Sequence, residues 1–367
     1  MKIAILGLGV VGRGVFDILQ RNSNDIEIKY ILEIDKNKTC GLEKYLVKSI
    51  DEILQDKEVE VVIELIGGKK IAYNYVTKAI KAGKHVVTAN KALISEFYEE
   101  LRHLSSRHNV QLLYEASVGG GIIIIDVIKN LNTIDNFIRI EGILNGSSNY
   151  VLSKIFNDNK TKDDSIKEAT ELGYLEKNSN DDLLGLDSIR KINILSMIAY
   201  RKYIDESSII YESVDKLTEL FINYVKEKKL IIKYLATSEL IDDKVSIHLE
   251  PVILDKRTMI SNIDNEYNII NLYSEYHHKQ TFIGQGAGRY PTATAIIYDL
   301  KNVLLTNKSD TNIIKKAVVD NTSKKYSFLV QSKDEIHIID STSLVDIKDI
   351  EDIVCYARID VEAYEKL

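Results

Sequence analysis

The chain opens MKIAILGLGVVGRGV (residues 1–15), and the reading of this stretch decides the fold. Residues 2–6 (KIAIL) are a short, mainly apolar run of strand length, and residues 10–22 carry the periodicity of a helix. Between them stands Gly7-Leu8-Gly9-Val10-Val11-Gly12. A GxGxxG that follows a strand and opens a helix is the context in which the pattern signals a dinucleotide site and not merely a glycine-rich turn. Gly7 makes the tight turn, Gly9 lets a pyrophosphate reach the backbone, and Gly12 packs helix on sheet. The anion then faces the helix N-terminus at Val10 and Val11.

Working outward, strand and helix patterns alternate as in a parallel sheet. Strands are expected at 27–34, 60–66, 84–87 and 110–114, and helices at 71–82 and 91–107. Right-handed crossovers make this a doubly wound, Rossmann-type sheet. Glu33 and Asp35 close the second strand about twenty residues beyond the glycines, where an acid commonly binds the ribose of NAD, and Asp35 is the candidate taken here. Lys36 and Lys38 follow at once and could neutralise a 2′-phosphate, so NAD and NADP both stay open. Three further segments end strands on the ligand side of such a sheet. IELIGG (63–68) carries two glycines. VVTANKALIS (86–95) places Lys91 in the first turn of a helix, with Thr88 and Asn90 as capping candidates. YEASVGGGIIII (114–125) sets Glu115 before three glycines.

From about residue 137 the texture changes to several strands with few helices, which implies a second, α+β domain on a mixed or antiparallel sheet. Near 284, GQGAGRYPTATAIIYDL gives a glycine turn and a helix that could return to the first domain. The expected division is 1–135 plus 284–305 for the dinucleotide domain, 136–283 for the substrate and dimerisation domain, and 306–367 for a C-terminal extension.

Composition limits the alternatives. The chain has 367 residues, 45% hydrophobic and 28% charged, with a formal net charge of −7. That describes an ordinary globular protein without the basic stripe that nucleic acid requires. No apolar run approaches the roughly 18–20 residues of a membrane span, and no signal-peptide cleavage pattern follows the N-terminal strand, so a cytoplasmic protein is expected. Cys40 and Cys355 stand alone, outside any metal or disulfide pattern. The adjacent His277 and His278 point in different directions and read as structural.

The segment GYLEKNSNDDLLGLDSIRKINIL (173–195) groups Glu176, Asp182 and Asp187 with Lys191. Asp187 and Lys191 are four apart and share a helix face, which Ile194, Leu195 and Ile198 continue into the interior. An isolated pair of this spacing is usually a surface ion pair. Here the apolar continuation places it at the mouth of a buried region, where desolvation and the positive helix end push a lysine toward proton transfer.

Taken together and in order, GLGVVGRGV, VVTANKA, EASVGGGI, GILNGSSNYVL, the acidic segment and GQGAGRYPTATA resemble the homoserine dehydrogenase family over residues 1 to about 305. The resemblance implies NADH- or NADPH-dependent reduction of L-aspartate 4-semialdehyde to L-homoserine, on the route to threonine and methionine, by a homodimer. It makes Lys191 the proton donor and Lys91 its partner. Glu176 and Asp187 would hold the amino acid end of the substrate, with Asp182 the remaining acid. Gly173, Gly286 and Gly288 would contact the cofactor, beside Gly7, Gly9, Val10, Val11, Gly12, Asp35 and Lys91. Glu115 with the carbonyls of Val118, Gly120 and Ile122 would form a structural monovalent cation site, for sodium. Ser147 and Ser148 stand where the family commonly has threonines. Ile123, and the run Lys177, Asn178 and Ser179, replace positions where the family often has prolines, which alters loop stiffness and removes no charged group. KYSFLVQSKDE resembles the first strand of a regulatory ACT module, but too few residues follow for a whole one, so threonine feedback is not expected. A phosphorylating semialdehyde dehydrogenase would need an activated cysteine, and neither cysteine lies in a motif. Another two-domain nicotinamide oxidoreductase, or a non-catalytic cofactor-binding paralogue, are the alternatives.

Overall fold

The computed structural model describes residues 1–22, 25–175, 180–305, 314–333 and 335–367. The chain forms two compact units, Met1–Asn130 with Ala287–Lys315, and Leu131–Gly286 with Lys316–Leu367.

The first unit is built on β1 (Lys2–Leu6), β2 (Glu27–Leu32), β3 (Val59–Glu64), β4 (His85–Thr88) and β5 (Leu112–Leu113). They lie in the order β2-β1-β3-β4-β5, all parallel. Helices α1 (Val10–Asn22), α2 (Ile50–Gln55), α3 (Lys70–Lys81) and α4 (Lys91–Arg107) connect them. Ile3, Ile5, Ile31, Val61, Ile63 and Val87 are fully buried and form one core with Ile296 and Leu300 of the helix Arg289–Leu305. Each such side chain contributes about 1.5–3 kcal/mol, and this is why the chain returns here after its excursion into the second unit. The return is tight: a side chain at Gly14 would place its Cβ 2.7 Å from the carbonyl oxygen of Arg289.

The expected strand 27–34 stops at Leu32, because Glu33 turns its carboxylate onto backbone amides instead of continuing the ladder. Strand 110–114 contracts to two residues, and a tight turn follows at Glu115–Ser117. The helix Ile50–Gln55 was not foreseen, although its signal is local. Glu52 accepts the backbone N–H of Ser49 at 3.0 Å, the return half of a capping box.

In the second unit the strands His278–Gln285, Tyr267–Ser274, Phe137–Ile143, Leu230–Ile241, Lys244–Asp255, Ile353–Ile359, Tyr326–Ser332 and Glu335–Thr342 lie side by side in that order. The long hairpin from Leu230 to Asp255 turns on Asp242 and Asp243, both at positive φ, as a two-residue hairpin turn demands. Helix α5 (Ile125–Leu131) ends the first unit's opening stretch, and α6 (Gly146–Asn157), α7 (Lys162–Glu171), α8 (Asn180–Leu183) and α9 (Leu186–Tyr200) belong to the second unit. α9 packs on the strands Phe137–Ile143 and Leu230–Ile241 and is buried from Asp187 to Tyr200, apart from Arg190. The strands after residue 315 continue this sheet, joined to it by the parallel pairing of Val252 with Arg358 and Ile253 with Ile359. The segment expected as a separate extension, 306–367, is thus shared between the units, its strands 326–359 belonging wholly to the second.

Candidate active site

The first unit's candidate residues gather at the C-terminal ends of its strands. Gly7 has φ +93°, and an added Cβ would lie 2.7 Å from the Leu65 carbonyl oxygen. One at Gly12 would meet the Gly7 oxygen at 2.3 Å. A Cβ at Gly9 meets nothing within 4 Å, and Val10 is 69% exposed. Two glycines are therefore demanded by the chain's own packing, whereas the middle one opens on free space beside the start of α1. That is the shape of a cradle for a pyrophosphate.

Glu33 lies against this turn. Its carboxylate accepts the Leu8 N–H at 2.7 Å and the Asp35 N–H at 2.9 Å. Burial pushes this acid up, but the amides of Asp35 and Leu8, with the Lys38 charge, hold the carboxyl below its usual range. Asp35, the acid expected at the ribose, instead caps a short turn at Lys36–Lys38 by accepting the Asn37 N–H at 3.0 Å, and faces Lys38 at 3.6 Å.

Glu64, at the end of β3, was passed over as part of an apolar strand. It is fully buried, accepts the Thr88 hydroxyl at 2.7 Å and the Ile66 N–H at 2.9 Å, and burial pushes its carboxyl up. Thr88 also accepts the Asn90 N–H at 3.0 Å. Asn90 in turn caps α4 through the Leu93 N–H and donates to the Gly68 carbonyl at 2.7 Å. Lys91 is thereby the first residue of α4.

The loop 115–126 is organised by one carboxylate. Glu115 accepts the N–H groups of Ile124 at 2.6 Å, Ile125 at 2.7 Å and Asp126 at 2.8 Å. Its own N–H donates to Asp299 at 2.8 Å. Both acids are buried; burial raises the Glu115 carboxyl, and burial followed by the Glu115 charge raises that of Asp299. Val118, Gly120 and Ile122 are buried in the same loop. Among the described residues no group of three or more His, Cys, Asp or Glu is placed to hold a metal ion.

In the second unit, Asp187 and Lys191 lie 2.8 Å apart and are 6% and 7% exposed. This is no surface pair. Lys191 Nζ also donates to the Leu144 carbonyl at 2.7 Å. Asn145 draws the acids together: its amide donates to Asp182 at 2.8 Å and to Asp187 at 3.0 Å, and its oxygen caps α6 by accepting the Ser148 N–H at 2.8 Å. Ser147 donates to the Tyr174 carbonyl at 2.6 Å, fixing α6 to the turn that carries Gly173, whose φ is +79°. α9 starts at Gly185, where φ is +89° and a Cβ would lie 2.3 Å from the Tyr234 hydroxyl. Glu176 lies outside the described residues.

Residues 7–115 match the model described as the homoserine dehydrogenase NAD binding domain, and residues 124–300 the one described as homoserine dehydrogenase. The chain is 32% identical to the homoserine dehydrogenase of Neisseria gonorrhoeae over 321 residues, which cover 85% of this chain and 74% of that one. It is 30% identical to that of Bacillus subtilis over 315 residues, covering 83% and 73%. The chain belongs to the homoserine dehydrogenase family. A homoserine dehydrogenase structure from Thiobacillus denitrificans superposes with a TM-score of 0.87 at 25% identity, covering 98% of each chain. As a homoserine dehydrogenase, the chain is a nicotinamide-dependent oxidoreductase.

Within this homoserine dehydrogenase, the remaining expected residues divide. Gly288 belongs to the first unit, with φ +125°. Gly286 belongs to the second, and a Cβ there would come within 2.1 Å of the Asn268 amide, so its own packing already requires glycine. Neither polar end of the fully buried Asn268 has a hydrogen-bond partner among the described residues. His277 bonds Asp135 at 2.9 Å in a turn of the second unit, a structural role. Glu33, Glu64 and Asn145 are the residues that sequence reasoning missed or undervalued. The first two carried one available signal, an acid at the end of an apolar strand.

Proposed function

We propose that this chain reduces L-aspartate 4-semialdehyde to L-homoserine, with Lys191 delivering the proton. The supporting observation is the buried Asp187–Lys191 pair at the start of α9, tied through Asn145 to Asp182. A buried ammonium needs a paired carboxylate and good acceptors, and Asp187 and the Leu144 carbonyl provide both. Such a group is costly to maintain for stability alone, and a proton donor of fixed position is what carbonyl reduction requires.

The glycine cradle, Glu33 and the start of α1 fit a nicotinamide dinucleotide, which supplies a hydride to the aldehyde carbon when bound. Lys191 gives its proton to the aldehyde oxygen as negative charge grows there, so the aldehyde gains one hydride and one proton. On the family reading Lys91, which follows the Asn90 cap, is the cationic partner in this step. Asp187, Asp182 and Glu176 receive the substrate's ammonium group.

Glu115 and the carbonyls of Val118, Gly120 and Ile122 hold a sodium-like cation. A cation here would oppose the burial that raises the Glu115 and Asp299 carboxyls, and an all-oxygen donor set suits a hard ion. The family reading also carries a homodimer working in the cytoplasm. Among the described residues no helix is long and apolar enough to cross a membrane.

The test is the oxidation of NADH or NADPH on addition of L-aspartate 4-semialdehyde, against other carbonyl acids of similar size. Turnover at least about tenfold faster with the semialdehyde is expected. Equal rates would sink the assignment of substrate.

A further inference from the structure

The sequence leaves NAD and NADP open, because acids and lysines stand together at residues 33–38. The structure separates them by where each side chain goes. We propose that Glu33 makes this chain an NAD enzyme, its carboxylate receiving the 2′- and 3′-hydroxyls of the adenosine ribose in a site that a 2′-phosphate cannot share. This deepens the family reading above and rests on it.

Glu33 directly follows β2, and the same strand end receives the glycine turn, since the Gly7 N–H donates to the Leu32 carbonyl at 2.9 Å. One carboxylate oxygen holds Leu8, inside the GxGxxG, and the other holds Asp35. An ionised carboxylate offers about four lone-pair positions. One amide on each oxygen leaves each free to accept a hydroxyl. The same two amides fix the carboxylate in place: swinging it aside for a phosphate would strip the Leu8 N–H of its partner within the turn. Together with the Lys38 charge they also hold the acid below its usual range against the effect of burial, so it is ionised at neutral pH.

The Lys38 charge helps to keep Glu33 ionised, but it serves two carboxylates at once. Lys38 faces Asp35, and Lys36 is exposed on the short turn that Asp35 caps. A 2′-phosphate carrying about −1.5 to −2 charges would meet the fixed carboxylate of Glu33 and that of Asp35 close by. A ribose hydroxyl in the same place donates to Glu33 instead. A hydrogen bond to a charged acceptor, gained by one cofactor and replaced by repulsion in the other, corresponds to about tenfold to hundredfold in affinity.

The experiment uses the full chain and reads binding directly, by the fluorescence of NADH and NADPH on titration, alongside kcat/KM for each with L-aspartate 4-semialdehyde. Wild type should bind NADH at least about tenfold more tightly than NADPH. Glu33→Gln, which keeps one acceptor and loses the charge, should weaken NADH by about tenfold and bring the two cofactors within a few-fold of each other. Asp35→Asn, which removes the second negative charge but leaves Glu33 in place, should narrow the ratio by less than Glu33→Gln does and leave NADH the tighter binder. NADPH bound as tightly as NADH by wild type, or an unchanged ratio in Glu33→Gln, would overturn the proposal. If Glu33→Gln melts early, the wild-type ratio alone decides. Failure of the semialdehyde to react with either cofactor would reject the substrate reading and leave the binding ratio to judge Glu33.

Discussion

Replacing Asn145 by Asp is the sharpest test of how the second unit's acids are held. In the native chain the Asn145 amide donates to Asp182 and Asp187, while its oxygen caps α6. Asp has nearly the same shape and retains the cap, a contribution of about 1 kcal/mol. It turns the double donor into an acceptor facing two carboxylates. Two charge-assisted hydrogen bonds of about 1.5–3 kcal/mol each are lost. Repulsion is added, on the order of 4 kcal/mol per pair at ~4 Å and an effective dielectric constant of ~20, less whatever one shared proton relieves. The expected cost is at least about 3 kcal/mol of stability at pH 8, with Asp187 pushed off Lys191 and kcat lowered about 10²-fold. Asn145→Ala loses the cap and both bonds but adds no charge, so it should fall between Asp and wild type. Urea unfolding at pH 8 and at pH 5.5 distinguishes the two causes. Crowded carboxylates take up a proton more readily than the unfolded chain does, so the penalty is present at high pH and shrinks as pH falls, in the Asp variant alone. Equal unfolding midpoints for the two variants at both pH values, with wild-type turnover, would refute the placement of Asn145 as the donor to these acids.

Gly185→Ala should cost about 2–5 kcal/mol, combining the left-handed backbone with a Cβ 2.3 Å from the Tyr234 hydroxyl; a variant melting within 2 °C of wild type would contradict it. Sodium chloride should raise the melting temperature above that in tetramethylammonium chloride of equal ionic strength. Glu115→Gln should abolish the difference, because its carboxylate anchors the proposed cation loop. Asp56 is held at about 2, below its ordinary 3.8, by Lys29 first, then by the Glu58 N–H and the Tyr30 hydroxyl. Its stabilisation is therefore complete above pH 3.8 and lost as pH falls toward 2, so Asp56→Asn should be less stable than wild type at pH 7 and match it in strong acid.

Much of the architecture was legible because it rests on short-range pattern. The helix expected at 91–107 is observed at Lys91–Arg107 with Asn90 as its cap, and Asp187 and Lys191 meet because four residues on a helix bring them together. What was hidden depends on partners distant in the chain. Asn145 reaches Asp187 across 42 residues. Glu64 gains its role only when the β3–β4 register sets Thr88 beside it. Of the two acids at the end of β2, periodicity cannot tell which turns inward. The Leu8 amide, 25 residues earlier, selects Glu33. The last strands lack a strong pattern of their own and take their place from pairing with Lys244–Asp255.

The most direct measurement is single-turnover reduction of L-aspartate 4-semialdehyde by Lys191→Ala, with cofactor affinity measured in parallel. Removing the buried ammonium should slow the chemical step by about 10²-fold or more, while NADH affinity stays within about threefold of wild type. Reduction at the wild-type rate would show that the proton comes from elsewhere and would contradict the role assigned to the Asp187–Lys191 pair.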